Sequence, residues 1–252
     1  MKRKTVLWIL LGLFAVVAAI SGYKLITILQ EYRRGEETYA GLNQYVQAVP
    51  GVSQSGQVQQ EEEEEYYIDH EGLMEINADY IGWIHIEDTK VSYPITQTAD
   101  NEYYLYRMFD RVYNGVGCVF MDYRNSPAWT DSNTVIYGHN MRTGTMFADA
   151  VNYTDQAFYD AHPTGILMTP QGNFQLQFFA AYQAGVKEDA WKTEFSSREE
   201  YAAWLQNAIS RSAIRGNYTP TAEDRVVTLS TCTFDHRTSS RLVILAILKP
   251  IS

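Results

Sequence analysis

The stretch VVTLSTCTFDHRTSSRLVILAIL, residues 226–248, holds two apolar runs around a polar, turn-like segment that begins at Thr233. If the two runs are neighbours joined by that loop, an antiparallel pair follows naturally, with Cys232 closing one strand and Arg241 opening the next. Six further runs rich in Val, Ile, Tyr and Phe lie upstream, at 82–86, 91–95, 117–122, 133–138, 165–169 and 172–184. With 225–231 and 241–248 they make eight short strands, broken by Gly, Asn, Asp and Pro, and this pattern points to a barrel or sandwich.

Two segments keep a different rhythm. Residues 72–81 read as a short helix. Tyr201, Trp204, Leu205, Ala208 and Ile209 fall at i, i+3, i+4, i+7 and i+8, and Ser197-Arg198-Glu199-Glu200 before them has capping-box spacing. This second helix interrupts the connection before the cysteine-bearing strand and is expected to cover an edge or face of the β structure. Residues 147–151 and 156–161 read as single helical turns.

Charge is segregated along the 252 residues, which total 20 Lys and Arg against 30 Asp and Glu. Residues 1–35 hold six bases and one acid, leaving 14 bases and 29 acids, about −15, in the remainder. That balance excludes a protein built to neutralise nucleic-acid phosphates. Two cysteines, Cys118 and Cys232, are too few for a disulfide framework.

From Val6 to Tyr23 the chain reads VLWILLGLFAVVAAISGY without a charge, and after Lys24 continues as LITIL. This is long enough to span a bilayer. Lys2, Arg3 and Lys4 precede it, which by the positive-inside tendency leaves residues 1–5 as a cytoplasmic tip, 6–29 as a signal-anchor, and the rest of the chain outside the cell. A cleaved signal peptide is the rival, since Ala18-Ala19-Ile20-Ser21 loosely imitates a cleavage region. No Lys or Arg occurs from Gly35 to Asp88, and GQVQQEEEEE occupies 56–65. Residues 30–65 therefore read as an acidic extracellular linker, an extended stalk or a merely solvated tether, with the folded domain over 66–252.

Chemistry concentrates at strand ends. Cys232 sits where a strand gives way to a polar loop, whereas Cys118 lies inside an apolar run and reads as a buried bystander. A thiol attacking an amide needs help to become a thiolate and a donor for the oxyanion that forms. His139 follows a strand that breaks at Gly138, and Arg241 stands nine residues after Cys232, so the three residues can meet as nucleophile, general acid and oxyanion-stabilising guanidinium. Taken singly, each has an ordinary structural reading as a buried thiol, a loop imidazole or a surface ion-pair member. His236 is a competing base in the polar loop. His70, His85 and His162 show no partner spacing, and no set of ligands has zinc spacing.

Beyond these three residues, an ordered set of motifs covers 72–250. It comprises Ile76-Asn77-Ala78-Asp79-Tyr80-Ile81-Gly82-Trp83, Tyr93-Pro94, Asp100-Asn101-Glu102-Tyr103-Tyr104-Leu105, Phe120-Met121-Asp122, Tyr137-Gly138-His139, Thr228-Leu229-Ser230-Thr231-Cys232 and Arg241. In this order the chain resembles a class B sortase, a membrane-anchored cysteine transpeptidase of Gram-positive bacteria. The resemblance implies a mainly β fold, an eight-stranded sortase-type β-barrel with short N-terminal helices and an extra helix before the cysteine-bearing strand.

The same resemblance implies Cys232 as nucleophile, His139 as general acid and Arg241 as the group that orients substrate and stabilises the oxyanion. It implies a groove for an Asn-Pro-x-Thr-type sorting signal lined by Asn101, Leu105, Tyr137, Trp191, Ser230 and Thr231, with Ala190 beside Trp191 in the apolar wall. Thr233 would lend its backbone N–H to the oxyanion. Neither a metal nor an organic cofactor is implied. The implied partners are a secreted protein carrying a C-terminal sorting signal, a cell-wall peptide or lipid-linked precursor supplying an amine, and the membrane; nucleic acid is not among them. Alternatives left open are a pilin polymerase using a lysine amine, a thiol hydrolase, and a catalytically silent binding module.

Overall fold

The computed structural model describes residues 2–49, 65–232 and 240–251. A helix, α1 (Lys2–Leu42), is followed by two short strands, β1 (Val46–Val49) and β2 (Glu65–Ile68), which pair antiparallel, and then by α2 (His70–Ile76). Eight strands succeed them: β3 (Tyr80–His85), β4 (Ser92–Thr96), β5 (Val119–Met121), β6 (Asn133–Tyr137), β7 (Thr164–Thr169), β8 (Gly172–Gly185), β9 (Val226–Cys232) and β10 (Ser240–Pro250). Helix α3 (Gln156–Ala161) precedes β7, and α4 (Arg198–Arg211) stands between β8 and β9.

The eight strands close into a barrel in the order β10-β8-β7-β3-β4-β5-β6-β9. Only β4 with β5 and β6 with β9 run parallel; the other neighbours are antiparallel. Alternation of side chains explains why β10 is apolar at nearly every position. Leu242, Ile244, Ala246 and Leu248 join one cluster with Val227 and Leu229 of β9, Phe178 of β8 and Trp83 of β3. Val243, Leu245 and Ile247 fall on the opposite face, in a second cluster with Tyr201, Trp204, Leu205 and Ala208 of α4. The expected insertion helix thus covers the outer face of β8 and β10, and both faces of β10 are dry.

Two expectations change. The helix read over 72–81 is confined to His70–Ile76: the Asp69 side chain accepts from Gly72 N at its start, and Asn77 leaves the helix in an extended conformation. Asn77 is 1% exposed and donates through Nδ2 to Tyr104 Oη and Phe109 O, so the chain is pulled inward there and Tyr80 and Ile81 enter β3 instead.

The second change concerns the acidic segment over 30–65, which is not extended throughout. Its first part continues α1 to Leu42, because Tyr32, Gly35, Tyr39 and Leu42 lie on one helical face and pack onto the domain. Of the two single turns, residues 156–161 form α3, whereas the other is a 3-10 turn at Asp149–Thr154.

Candidate active site

Register places the three candidate residues. In the β9–β10 ladder Arg241 lies directly opposite Cys232. In the parallel β6–β9 ladder Tyr137 pairs with Ser230, and Gly138 N donates to Ser230 O at 3.1 Å. His139 therefore stands two residues beyond Tyr137, as Cys232 stands two beyond Ser230. Carried two residues past the end of β6, that register puts His139 level with Cys232 and Arg241, on neighbouring backbones about 5 Å apart. Asn140 ties the row together by donating from Nδ2 to Cys232 O at 3.0 Å.

His139 is held on its other side. Its Nε2 lies 2.8 Å from Leu105 O, at the end of the 3-10 turn Tyr103–Leu105. A carbonyl can only accept, so Nε2 carries the hydrogen and Nδ1 is left as the acceptor nitrogen of the ring. Two glycines make this fit. A side chain at Gly138 would put its Cβ 2.5 Å from the Phe147 ring, and one at Gly117, whose φ is +66°, would meet His139 Cδ2 at 2.9 Å.

Alternation along β9 sets Ser230 on the same face as Cys232. Trp191, from the 3-10 turn Asp189–Trp191, donates from Nε1 to Ser230 Oγ at 2.9 Å, so the expected wall residue stands over the strand. Ala190, beside it, is buried in the cluster under α4. Thr231 does not join the row. Pleating turns its side chain to the face of Val227 and Leu229, and its hydroxyl has no hydrogen-bond partner among the described residues. Expected as a groove residue, Thr231 is instead inward-facing, because a β-strand cannot present consecutive side chains to one surface.

Beneath the wall lies a residue that sequence reasoning named only as part of a motif. The Asp122 carboxylate is fully buried and accepts from Arg124 Nε at 2.8 Å, Arg124 Nη2 at 2.8 Å, Tyr137 Oη at 2.8 Å and Asn101 Nδ2 at 3.0 Å. Burial pushes this carboxyl up, but the side-chain and backbone donors of Arg124, with the Tyr137 hydroxyl, bring it below its ordinary value. Arg124 Nη2 also donates to Trp191 O at 3.0 Å. Asn101 receives Tyr123 N on Oδ1 at 3.0 Å, so both ends of its amide are spent within the wall. The signal for Asp122 was an acid-x-base pair, Asp122 and Arg124, directly after a strand.

Thr233 and the competing base His236 lie outside the described residues. His70, His85 and His162 sit away from the row: His70 faces Tyr80, His85 faces Glu87 and His162 packs on Phe158. Among the described residues no group of three His, Cys, Asp or Glu side chains could hold a metal ion. A thiol, an imidazole with one free nitrogen and a guanidinium in one row are suited to acyl transfer through a thioester.

The family model described as the Sortase domain matches residues 84–249. Sortase B of Staphylococcus aureus is 32% identical over 247 residues, 98% of each chain. Sortase B of Listeria monocytogenes is 39% identical over 160 residues, 64% of this chain and 65%, just under two thirds, of that protein. Among solved structures, sortase B from B. anthracis in complex with AAEK1 superposes with a TM-score of 0.74 at 29% identity, covering 89% of this chain and all of that one. The Staphylococcus aureus sortase B-substrate complex gives 0.69 at 34% identity, over 72% of this chain and 85% of its own.

Proposed function

As the chain belongs to the sortase family, and within it to class B, we propose that Cys232, His139 and Arg241 carry out its transpeptidation on a sorting signal of the Asn-Pro-x-Thr type. The observation that supports this best is the register: Arg241 opposite Cys232, and His139 level with both by the β6–β9 pairing.

In the first half-reaction the Cys232 thiolate attacks the Thr carbonyl carbon of the signal. The carbonyl oxygen gains the charge, which the Arg241 guanidinium and the backbone N–H of Thr233 stabilise. The C–N bond then breaks, and His139 Nδ1 gives its proton to the departing amine, leaving a thioester. In the second, an amine of a cell-wall peptide or lipid-linked precursor attacks the thioester carbon. A C–N bond forms, the C–S bond breaks, the amine's proton passes to Nδ1 and the thiolate is restored. Trp191, Tyr137 and Ser230 wall the peptide, with Leu105 fixing the imidazole. Residues 6–29 anchor the enzyme in the cell membrane, with the N-terminus in the cytoplasm and the domain outside.

Mass analysis of the full chain incubated with an Asn-Pro-x-Thr-Gly peptide and a triglycine amine tests this. A thioacyl adduct on Cys232 and a new peptide bond to the amine are expected. Cleavage with water as the sole acceptor, whatever amine is supplied, would replace the transferase by a hydrolase, and turnover by Cys232→Ala would remove the thiol mechanism altogether.

A further inference from the structure

The residues of α1 from Val6 to Leu29 are exposed almost throughout, whereas from Glu31 onward one face of the same helix is covered by the domain. The covering is a ladder of three contacts. Asn114 Nδ2 donates to Glu31 O at 2.9 Å, a Cβ on Gly35 would lie 2.8 Å from Val116 Cγ2, and Tyr39 Oη donates to Gly117 O. Successive rungs are four helix residues apart, about 6 Å each. The segment 114–117 therefore climbs α1 away from its apolar part, and Tyr113, before the first rung, lies at the end nearest that part.

Tyr113 is not alone there. Asn114 N donates to Tyr106 O at 2.9 Å, and the Tyr106 and Tyr113 rings stack with centroids 6.3 Å apart and planes 19° from parallel. The two residues are 52% and 68% exposed, a large apolar surface left open in a domain that buries most of its aromatics. Arg34, exposed on α1 just past the apolar run, adds positive charge at the same level, while Arg33 beside it pairs with Glu37 at 4.0 Å.

We propose that the Tyr106–Tyr113 pair is a second membrane contact, seated in the headgroup layer of the bilayer that α1 crosses. This rests on reading α1 as a membrane anchor. Tyrosine favours that layer because its ring is apolar and its hydroxyl can stay hydrated, while Arg34 suits the lipid phosphates. The domain is then held in one pose on the membrane and does not swing freely on a tether. The consequence reaches the active site: Leu105, whose carbonyl holds His139, is the neighbour of Tyr106, and Gly117 lies between Tyr39 and His139. His139 stands on the order of 10 Å above the level of Glu31, within reach of an acceptor amine carried by a molecule still embedded in the bilayer.

The test uses the full chain carrying Cys232→Ala, in lipid nanodiscs, with one cysteine added at a time and labelled with a nitroxide; Cys118 is buried and stays unlabelled. Labels at Tyr113→Cys and Tyr106→Cys should collide with oxygen several-fold more, relative to a water-soluble nickel reagent, than a label at Gln171→Cys. Gln171 is exposed on the β7–β8 turn, at the barrel end opposite the catalytic row. A label at Ile20→Cys reports the anchor itself. Water accessibility at 113 and 106 with Ile20 in lipid would overturn the proposal and leave the anchor standing. Water accessibility at Ile20 would remove the anchor and the proposal with it. Labels at 113 and 106 shielded from both reagents only when each disc holds two chains would assign the face to a second copy, and overturn it too.

Discussion

Cys118 and Cys232 carry the same group in different surroundings, the first buried and the second partly exposed at a strand end. Cys118 is buried between Tyr39 and Pro94, and burial pushes its thiol up to about 12; at neutral pH it is not a thiolate. Iodoacetamide applied to the native chain should therefore alkylate Cys232 alone, and mass mapping should find Cys118 modified after unfolding only. Arg241→Lys should lower kcat/KM by about a hundredfold, on the scale of losing one oxyanion donor, because a single ammonium cannot reproduce the planar fork of donors. Steady-state peptide turnover checks it, and a wild-type rate would remove Arg241 from the mechanism. Asp122 acts at one remove, by fixing Tyr137, Arg124 and, through Arg124, the Trp191 backbone. Asp122→Asn loses the charge that these donors share and should cost about 3 kcal/mol in urea unfolding. The folded carboxyl sits below its unfolded value, so its contribution is complete above about pH 4 and declines as the pH falls through the lower folded value. The gap between wild type and Asp122→Asn should accordingly narrow in acid. Cys232, His139 and Arg241 stand out in sequence because each sits at the break of an apolar run, and the β6–β9–β10 register is what brings the three breaks level. Asp122 was not, since one acid among 30 gains meaning only from the donors that folding brings to it.

Helix α4 shows how an element outside the row of His139, Cys232 and Arg241 can shape its surroundings. Ser197 caps it by accepting Glu200 N on Oγ, and Glu200 turns back to accept from Ser196 N and to pair with Lys192. Its apolar face lies on β8 and β10, and Trp204 Nε1 reaches beyond it to donate to Asp189 O at 3.0 Å, fixing the 3-10 turn that carries Trp191. Trp204→Ala should cost about 3 kcal/mol, in the range for large core truncations, and should raise KM for the sorting peptide more than it lowers kcat, because the wall loosens while the catalytic row stays. Urea unfolding with paired kinetics checks both halves; an unchanged KM would detach α4 from the groove. The period of Tyr201, Trp204, Leu205, Ala208 and Ile209 was visible in sequence because five residues repeat over two turns. The three-residue turn Asp189–Trp191 offers no period, and the face that Trp191 covers depends on a strand pairing 39 residues away.

At the scale of the molecule, the boundary between the exposed apolar run and the folded domain lies inside a helix. Residues 30–65 look like a tether in sequence because acids crowd them and bases are absent after Arg34, yet Tyr32, Gly35, Tyr39 and Leu42 form an apolar seam with helical spacing. Charge composition averages over all faces of a helix, so it hides a seam one residue wide. The barrel itself could be read strand by strand, since a strand alternates where one face is dry and runs apolar throughout where both are; docking of α1 could not, because it needs the 114–118 segment that arrives about 80 residues later. Tyr39 and Leu42 are both buried in the domain core, and Tyr39 lies against the segment that backs His139. A chain beginning at residue 66 gives up both side chains and opens the side of Cys118. At about 1.5–3 kcal/mol for each large apolar side chain, it should be about 4 kcal/mol less stable than a chain beginning at residue 30, which keeps the seam but not the membrane span. Its Cys118 should react with iodoacetamide under native conditions, and its kcat for a soluble peptide should fall as the support behind Gly117 and His139 slackens. Equal unfolding midpoints and an unreactive Cys118 in the shorter chain would show that the catalytic domain is complete without α1.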